Sequence, residues 1–402
     1  MRLGGSSRQP EAIVLGVTTN GLSFVRSLGR RGIRVWMLDG SPGNPCMRSR
    51  CGTPVRLPEI GDHPDAWLSA VMERALRASS PPVLIPTGDE HLLLVSEHRE
   101  MLAPHLRFRI PPPGLPELLC DKRLQYEALE ERGWTIPKTA YPEAPCDIAR
   151  FAEETVGFPC LLKPYASHRW RRRGTGVKLR AAWSEPELRA AWDEMTAAGV
   201  PALLQEVVPG GDDRFYGYLA YYDAAGLPRA AFTKRKLRQH PPRFGNGSFQ
   251  VSTRDPELAD LSDRVLRSLN YQGLVGIEFK RDERDGELRL IEINPRSVSG
   301  NQLPIDCGVD FPYVYYRDAI GEPLPRVDGY RSGVRYVHLG WDVQAMLAKR
   351  RSGEITAARW LRSLAGVRSN ALFSWRDARP ALAYAGAAFR RAVRAAARGL
   401  VR

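Results

Sequence analysis

Two carboxylates set into facing apolar strands constrain this chain most. Residues 275–280 and 288–293 read as strands joined by Arg284-Asp-Gly286, which suits a three-residue hairpin loop with glycine in the left-handed position. A loop centred on Asp285 pairs residues whose numbers sum to 570, so Glu278 faces Glu292. Directly opposed side chains stand ~5 Å apart at Cβ, and two like charges there are destabilising unless something neutralises them. The neighbours Ile277, Phe279, Ile291 and Ile293 are apolar. A divalent cation meets the demand, since magnesium takes oxygen ligands and commonly uses one or two carboxylates plus phosphates. Asn294 offers a third oxygen, and Arg296 beyond it offers a planar cation for a phosphate. On these residues alone, an edge pair solvated by water is an equal alternative.

The 402 residues allow two or three domains, and 43% hydrophobic with 26% charged residues fits a folded rather than a disordered chain. No apolar run approaches the ~20 residues of a membrane span. Residues 1–9 are polar and lack the apolar stretch of a signal peptide. Cys46, Cys51, Cys120, Cys146, Cys160 and Cys307 form no C-x-x-C pair, which points to a reducing cytoplasm and away from a zinc site. The seven histidines show no H-E-x-x-H spacing.

The net charge of +14 invites a nucleic-acid reading, but its distribution argues against one. Residues 331–402 hold fifteen of the 59 Lys/Arg and three of the 45 Asp/Glu, so the first 330 residues are nearly neutral. On a helix over 380–402, Leu382, Phe389, Val393 and Leu400 fall within ~40° of one another, with Arg391, Arg394, Arg398 and Arg402 opposite. Such a basic amphipathic helix could lie on an anionic membrane surface. Core-facing stripes are the commoner cause, so docking on the body with a solvated arginine face is the expectation.

Along the chain, 12–15 reads as a strand, Gly16-Val-Thr-Thr-Asn-Gly21 as a turn, 22–28 as a helix and 35–38 as a second strand. That order opens a parallel α/β domain. The turn is neither G-x-G-x-x-G nor a Walker A, because Leu22 stands where the lysine would be, so a structural turn is expected. A strand at 83–85 ends in Pro86-Thr-Gly-Asp89, and Pro111-Pro-Pro-Gly114 marks a boundary. Beyond it come a helix at 118–133, a strand at 160–163, a Gly- and Arg-rich loop at 167–176 and a strand at 202–208. Antiparallel strands at 220–222 and 230–233 and a helix at 256–269 then lead to the carboxylate hairpin.

The ordered set Asp121-Lys122, Leu161-Leu-Lys-Pro164, the glycine-rich loop, Gln205-Glu-Val-Val-Pro-Gly210 and the hairpin resembles the ATP-grasp superfamily over about 115–325. The resemblance implies an α/β and α+β architecture in three parts. They are a Rossmann-like pre-ATP-grasp domain at 1–114, an ATP-grasp domain of two subdomains at 115–330 and a helical basic extension at 331–402. By the same resemblance, Lys122 and Lys163 reach the phosphates of ATP, and Gly174 and Gly176 belong to a flap over them. Residues 168–173 make that flap bulkier and more basic than the family's usual form. Glu206 and Val208 match the adenine hinge and Asp213 the ribose acid, with Asp212 as a substitute. Glu278, Glu292 and Asn294 match ligands of magnesium, with manganese an alternative, and Arg296 matches an arginine that steadies the transferred phosphoryl group.

The stretch Phe232-Thr-Lys-Arg-Lys-Leu-Arg-Gln-His-Pro-Pro-Arg-Phe-Gly245 resembles the carboxylate–amine ligase branch that includes D-aspartate ligase. It makes Lys236 a γ-phosphate or substrate contact, and Arg238 and Arg243 candidates for a substrate carboxylate, with a solvated basic loop as the alternative for Arg243. Ser297 and Asn301 are further substrate-loop candidates. The implied reaction joins a small-molecule carboxylate to an amine through an acyl phosphate, with no nucleic acid involved. Carboxylation through carboxyphosphate and a non-catalytic adaptor working through the basic tail are the competing readings.

Overall fold

The computed structural model describes residues 9–166, 170, 178–327 and 329–399. Three sheets organise it. The first is parallel, with strands β1 (Ala12–Leu15), β2 (Val35–Asp39), β3 (Thr53–Arg56) and β4 (Val83–Pro86) in the order β3-β2-β1-β4. All four residues of β1 are buried, as expected of a central parallel strand covered on both faces. Its alternation splits the burial: Ala12 and Val14 enter one core, Ile13 and Leu15 another. The helix Thr19–Gly29 follows the Gly16 turn and is buried along almost its whole length.

The second sheet is antiparallel, with β5 (Thr139–Ala140), β6 (Cys160–Pro164), β7 (Arg180–Ala182) and β8 (Ala202–Glu206) in the order β5-β8-β6-β7. Cys160, Leu162, Ala202 and Leu204 pack with Leu188 and Trp192 of the helix Glu185–Ala197. The alternate residues Leu161, Lys163 and Gln205 face the other way, into a cleft.

The third sheet contains β9 (Phe215–Tyr222), β10 (Pro228–His240), β11 (Asn246–Thr253), β12 (Gly273–Arg281), β13 (Leu288–Asn294), β14 (Arg335–Val337) and β15 (Val367–Asn370). Their order is β13-β12-β9-β10-β11-β14-β15, antiparallel except for the β14–β15 pair. Tyr218, Tyr222, Ile277, Phe279 and Ile293 pack on one face with Leu258, Val265 and Leu266 of the helix Pro256–Ser268. On the other face, Leu219 and Tyr221 join the core shared with the first sheet, while Phe215, Glu278 and Lys280 line the cleft.

The hairpin pairs Glu278 with Glu292 as expected, but by a different route. Near the turn the pairs are Phe279–Leu290, Lys280–Arg289 and Arg281–Leu288, a sum of 569. Asp282 N donates to Glu287 O at 2.8 Å, so the loop has four residues. Ile291 is then the extra residue of a bulge that restores the sum to 570 at Glu292. Partners outside the hairpin hold the bulge: Leu290 N donates to Thr135 O at 2.9 Å, and the Tyr126 hydroxyl donates to Ile291 O at 2.5 Å.

The stretch after residue 330, expected as helix, supplies β14 and β15 to the third sheet. The final helix, Arg379–Gly399, does dock on the body, but Leu382, Phe389 and Val393 are exposed. Ala381 and Tyr384 make the contact instead, the Tyr384 ring packing edge-on against His338. The expected core-facing stripe therefore faces out.

A buried ion pair ties the two ends of the chain. Arg26 Nε donates to Asp377 Oδ2 at 2.9 Å, with both side chains almost completely buried. Arg26 also donates to the carbonyls of Leu372 and Asp377, and Asp377 accepts from Ser49 Oγ and Arg50 N. Asp377→Ala strands the guanidinium and is expected to cost about 3–5 kcal/mol in urea unfolding. An unchanged midpoint would contradict this account.

Candidate active site

The cleft lies between the β6–β8 face of the second sheet and the β9, β10, β12 and β13 face of the third. Its empty space is about 950 Å³, open mouth included, at the upper end of the range for small-molecule sites. Period-two alternation aims its residues. Glu278 and Lys280 project from β12, Glu292 and Asn294 from β13, Lys163 from β6 and Gln205 from β8. Leu161, Val208, Phe215, Phe244 and Ile291 supply apolar walls for a flat ring.

Seven cations, Lys122, Lys163, Lys178, Lys236, Arg243, Lys280 and Arg296, line the cleft beside four carboxylates, Asp89, Glu206, Glu278 and Glu292. The excess of positive charge suits a polyphosphate. Lysines neutralise the facing carboxylates: Lys236 Nζ donates to Glu278 Oε2 at 2.9 Å, and Lys122 Nζ to Glu292 Oε1. Burial pushes the Glu292 carboxyl up, but Lys122, Lys178 and Lys163 outweigh it and hold the group well below the usual carboxylate range. Lys122 is placed by its neighbour. Asp121 caps the helix Lys122–Glu131, accepting from Arg123 N at 2.8 Å and Leu124 N at 3.2 Å. Lys163 Nζ donates to Gln205 Oε1 at 2.5 Å.

Arg296 Nε donates to Asp89 Oδ1 at 2.6 Å. Burial lowers the guanidinium's proton affinity, but Asp89 outweighs it and raises it overall. Asp89 opens the helix Asp89–Glu97 after β4, so the first sheet supplies a cleft residue that the sequence reading passed over. The signal was present, because ligands of open α/β sheets gather at the carboxyl ends of strands. Lys280 was also missed, whereas its fellow buried lysine Lys234 lies outside the lining. Lys280 Nζ donates to Val208 O at 2.6 Å, and burial lowers it to about 8. Lys234 Nζ donates to Ser299 O at 3.3 Å, and burial again lowers it to about 8.

Glu206 and Val208 line the cleft beside Lys280. The Glu206 carboxylate accepts from Lys138 N at 3.0 Å and pairs with Arg284 Nη2 at 2.9 Å. Asn294 and Arg243 also stand in the lining. Asp213 is exposed in the turn Asp212–Arg214, outside the lining. Its neighbour Asp212 is buried, accepting from Arg243 N at 2.8 Å and Lys349 Nζ at 3.1 Å.

Arg238 stands outside the cleft. Register shifts on either side of it break the alternation of β10, so Lys236 and Gln239 enter the lining and Arg238 leaves it. Its guanidinium donates to both carboxylate oxygens of buried Asp342 at 2.9 and 2.8 Å and lies over the Phe249 ring. Ser297 and Asn301 are likewise committed elsewhere. Asn20 Nδ2 donates to Ser297 Oγ at 2.9 Å, and Asn301 Nδ2 donates to Ser23 Oγ at 2.9 Å, fastening their loop to the helix Thr19–Gly29. Gly174 and Gly176 lie outside the described residues.

Among the described residues no cluster of three or more His, Cys, Asp or Glu side chains forms a metal site. Two opposed carboxylates and the Asn294 amide still make a hard oxygen set suited to magnesium.

This geometry separates two neighbouring cations. Arg238→Met leaves Asp342 buried without its partner and is expected to cost about 3–5 kcal/mol of stability, with ADP affinity changed less than about twofold. Lys236→Met should instead weaken binding of a non-hydrolysable ATP analogue about tenfold or more, with a smaller loss of stability because its partner Glu278 is partly solvated. Calorimetric titration beside urea unfolding checks both.

A family model described as ATP-grasp in the biosynthetic pathway with Ter operon matches residues 231–340, which include Lys236, both hairpin carboxylates and Arg296. D-aspartate ligase of Enterococcus faecium is 26% identical over 243 residues, 58% of this chain and 57% of that protein. The match thus spans a little over half the length of that relative. Formate-dependent phosphoribosylglycinamide formyltransferase of Bacteroides fragilis is 22% identical over 342 residues, 81% of each chain. The solved N5-carboxyaminoimidazole synthetase of Staphylococcus aureus shares the fold, with a TM-score of 0.62 over 83% of both chains at 14% identity. The family model thus covers the carboxylate hairpin and the strands before it, and the solved synthetase has the same fold over most of both chains.

Proposed function

We propose that the protein is an ATP- and magnesium-dependent ligase that joins a small-molecule carboxylate to an amine and releases ADP and phosphate. One observation carries the reading: Glu278 and Glu292 face each other at the end of the cleft where Lys122, Lys163, Lys236 and Arg296 converge. The partial likeness to D-aspartate ligase supports the choice of substrates.

In the first step a substrate carboxylate oxygen bonds to the γ-phosphorus as the bond to ADP breaks. An amine then bonds to the acyl carbon, phosphate leaves with the shared oxygen, and the amine loses its proton. Phosphoryl transfer asks for positioning and charge neutralisation rather than a protein nucleophile. Lys122, Lys163 and Lys236 hold phosphate oxygens as point charges. Arg296, fixed by Asp89, presents a planar fork to the transferred group. Leu161, Phe215 and Ile291 enclose the base beside the Glu206–Val208 backbone. Magnesium, or manganese on the same oxygens, held by Glu278, Glu292 and Asn294, supplies charge neutralisation at the phosphates. Lys122 and Lys236 balance those carboxylates in the ligand-free protein. No described helix is long and apolar enough to cross a membrane, and the six cysteines are free, which supports a reaction run in the cytoplasm.

The test is ADP and phosphate release from Mg-ATP across amino acids offered singly and in pairs. Release should require an acid together with an amine and fall on the order of a hundredfold or more in Glu292→Ala. Release driven by bicarbonate alone would overturn the reading in favour of carboxylation.

A pH dependence follows from Lys280. Its ammonium titrates near 8, and an anionic nucleotide favours the charged form. Binding therefore takes up a proton above that pH, and ADP affinity should fall as pH rises through about 8. Lys280→Arg stays charged and should flatten the profile; an unchanged slope would remove Lys280 from the account.

A further inference from the structure

The helix Arg379–Gly399 is attached by one face and leaves another bare. Ala381 and Tyr384 pack on the core, with the Tyr384 ring 6.0 Å from that of His338 and edge-on to it. On the bare side, Leu382 is 70% exposed, Phe389 71% and Val393 50%. Their spacing of seven and four residues puts them in one stripe. Trp375, four residues before the helix, is 90% exposed, its ring 4.7 Å from Phe373.

A groove runs between this helix and the turn Pro45–Arg48. Arg48, Arg56, Arg379 and Arg390 line it with no carboxylate among them. None of the four side chains makes a hydrogen bond or ion pair among the described residues. From 355 to 402 the sequence has ten arginines and one acidic residue, Asp377, which is buried against Arg26.

We infer that this face docks on an anionic membrane surface. Leu382, Phe389 and Val393 enter the boundary between headgroups and acyl chains, and Arg48, Arg56, Arg379 and Arg390 bind lipid phosphates. Each half of the surface needs something different, and a bilayer supplies both. The apolar stripe needs a non-aqueous medium, and a charged flank beside such a stripe is the pattern of helices that lie in the interface. The unpaired arginines need anions, and their aliphatic stems can rest along the stripe while the heads reach phosphate. A nucleic acid would serve the arginines and leave the stripe in water. A second copy in a two-fold contact would cover the stripe but bring two arginine grooves together.

Co-sedimentation of the full chain with vesicles tests this, using phosphatidylcholine alone and phosphatidylcholine with phosphatidylglycerol. Retention is expected on the anionic vesicles only, and it should weaken as salt rises. Leu382→Ser with Phe389→Ser should reduce retention by about tenfold or more. Arg379→Gln and Arg390→Gln should each reduce it about fivefold. These side chains are exposed, so an unchanged unfolding midpoint serves as the folding control. Equal retention on neutral and anionic vesicles, or none on either, would overturn the inference. So would retention that ignores the serine substitutions, since charge alone would then explain it. Lipid-free self-association abolished by Phe389→Ser would assign the stripe to a second copy instead.

Discussion

The rest of the site depends on two like charges held face to face. Glu278 and Glu292 stand opposite one another on adjacent strands, an arrangement that raises energy unless a cation is close. The protein meets that cost from two directions. Lys236 arrives from β10 in the same sheet, and Lys122 arrives from the start of a helix that Asp121 caps. The Glu292 carboxyl is thereby held well below the usual carboxylate range, and each lysine is kept aimed into the cleft. Under the proposed function, a polyphosphate with its metal ion would offer both groups a new partner at once, exchanging charges between partners rather than burying new ones.

Breaks in alternation, as much as alternation itself, decide which side chains take part. The bulge at Ile291 returns Glu292 and Asn294 to the cleft face after a turn one residue longer than the simplest hairpin. The irregularity in β10 acts in the opposite sense, exchanging Arg238 for Gln239. Because strand side chains alternate, one added residue reverses every assignment beyond it. Both shifts are stabilised from a distance, by Thr135 and Tyr126 in one case and by Asp342 in the other.

The first sheet is joined to this machinery. Asp89 orients Arg296, Asn20 and Ser23 fasten the loop that follows it, and Arg26 binds the chain's last buried acid. The cleft is thus completed by residues from strands and helices far apart in sequence. Any movement of the first sheet relative to the third would carry Arg296 with it.

Much of this was legible from residue order. The parallel opening and the opposed carboxylates follow from local pattern, because period-two alternation acts over a few residues, whereas Lys122, Lys163, Glu206 and Val208 were singled out only by resemblance. Ser297, Asn301 and Arg238 look equally suited to a substrate when read locally, and they are spent on Asn20, Ser23 and Asp342. The final helix could be recognised as amphipathic, but not which way it faces, since Ala381 and Tyr384 compete with Leu382 and Phe389 for the same body. The sequence by itself determined that Glu278 and Glu292 face each other and on which strands they stand. Only the tertiary structure decided which charges pair, which face of the last helix is left bare and that Asp89 belongs to the site. Those outcomes depend on partners tens to hundreds of residues away, whose contact exists only once the sheets have packed.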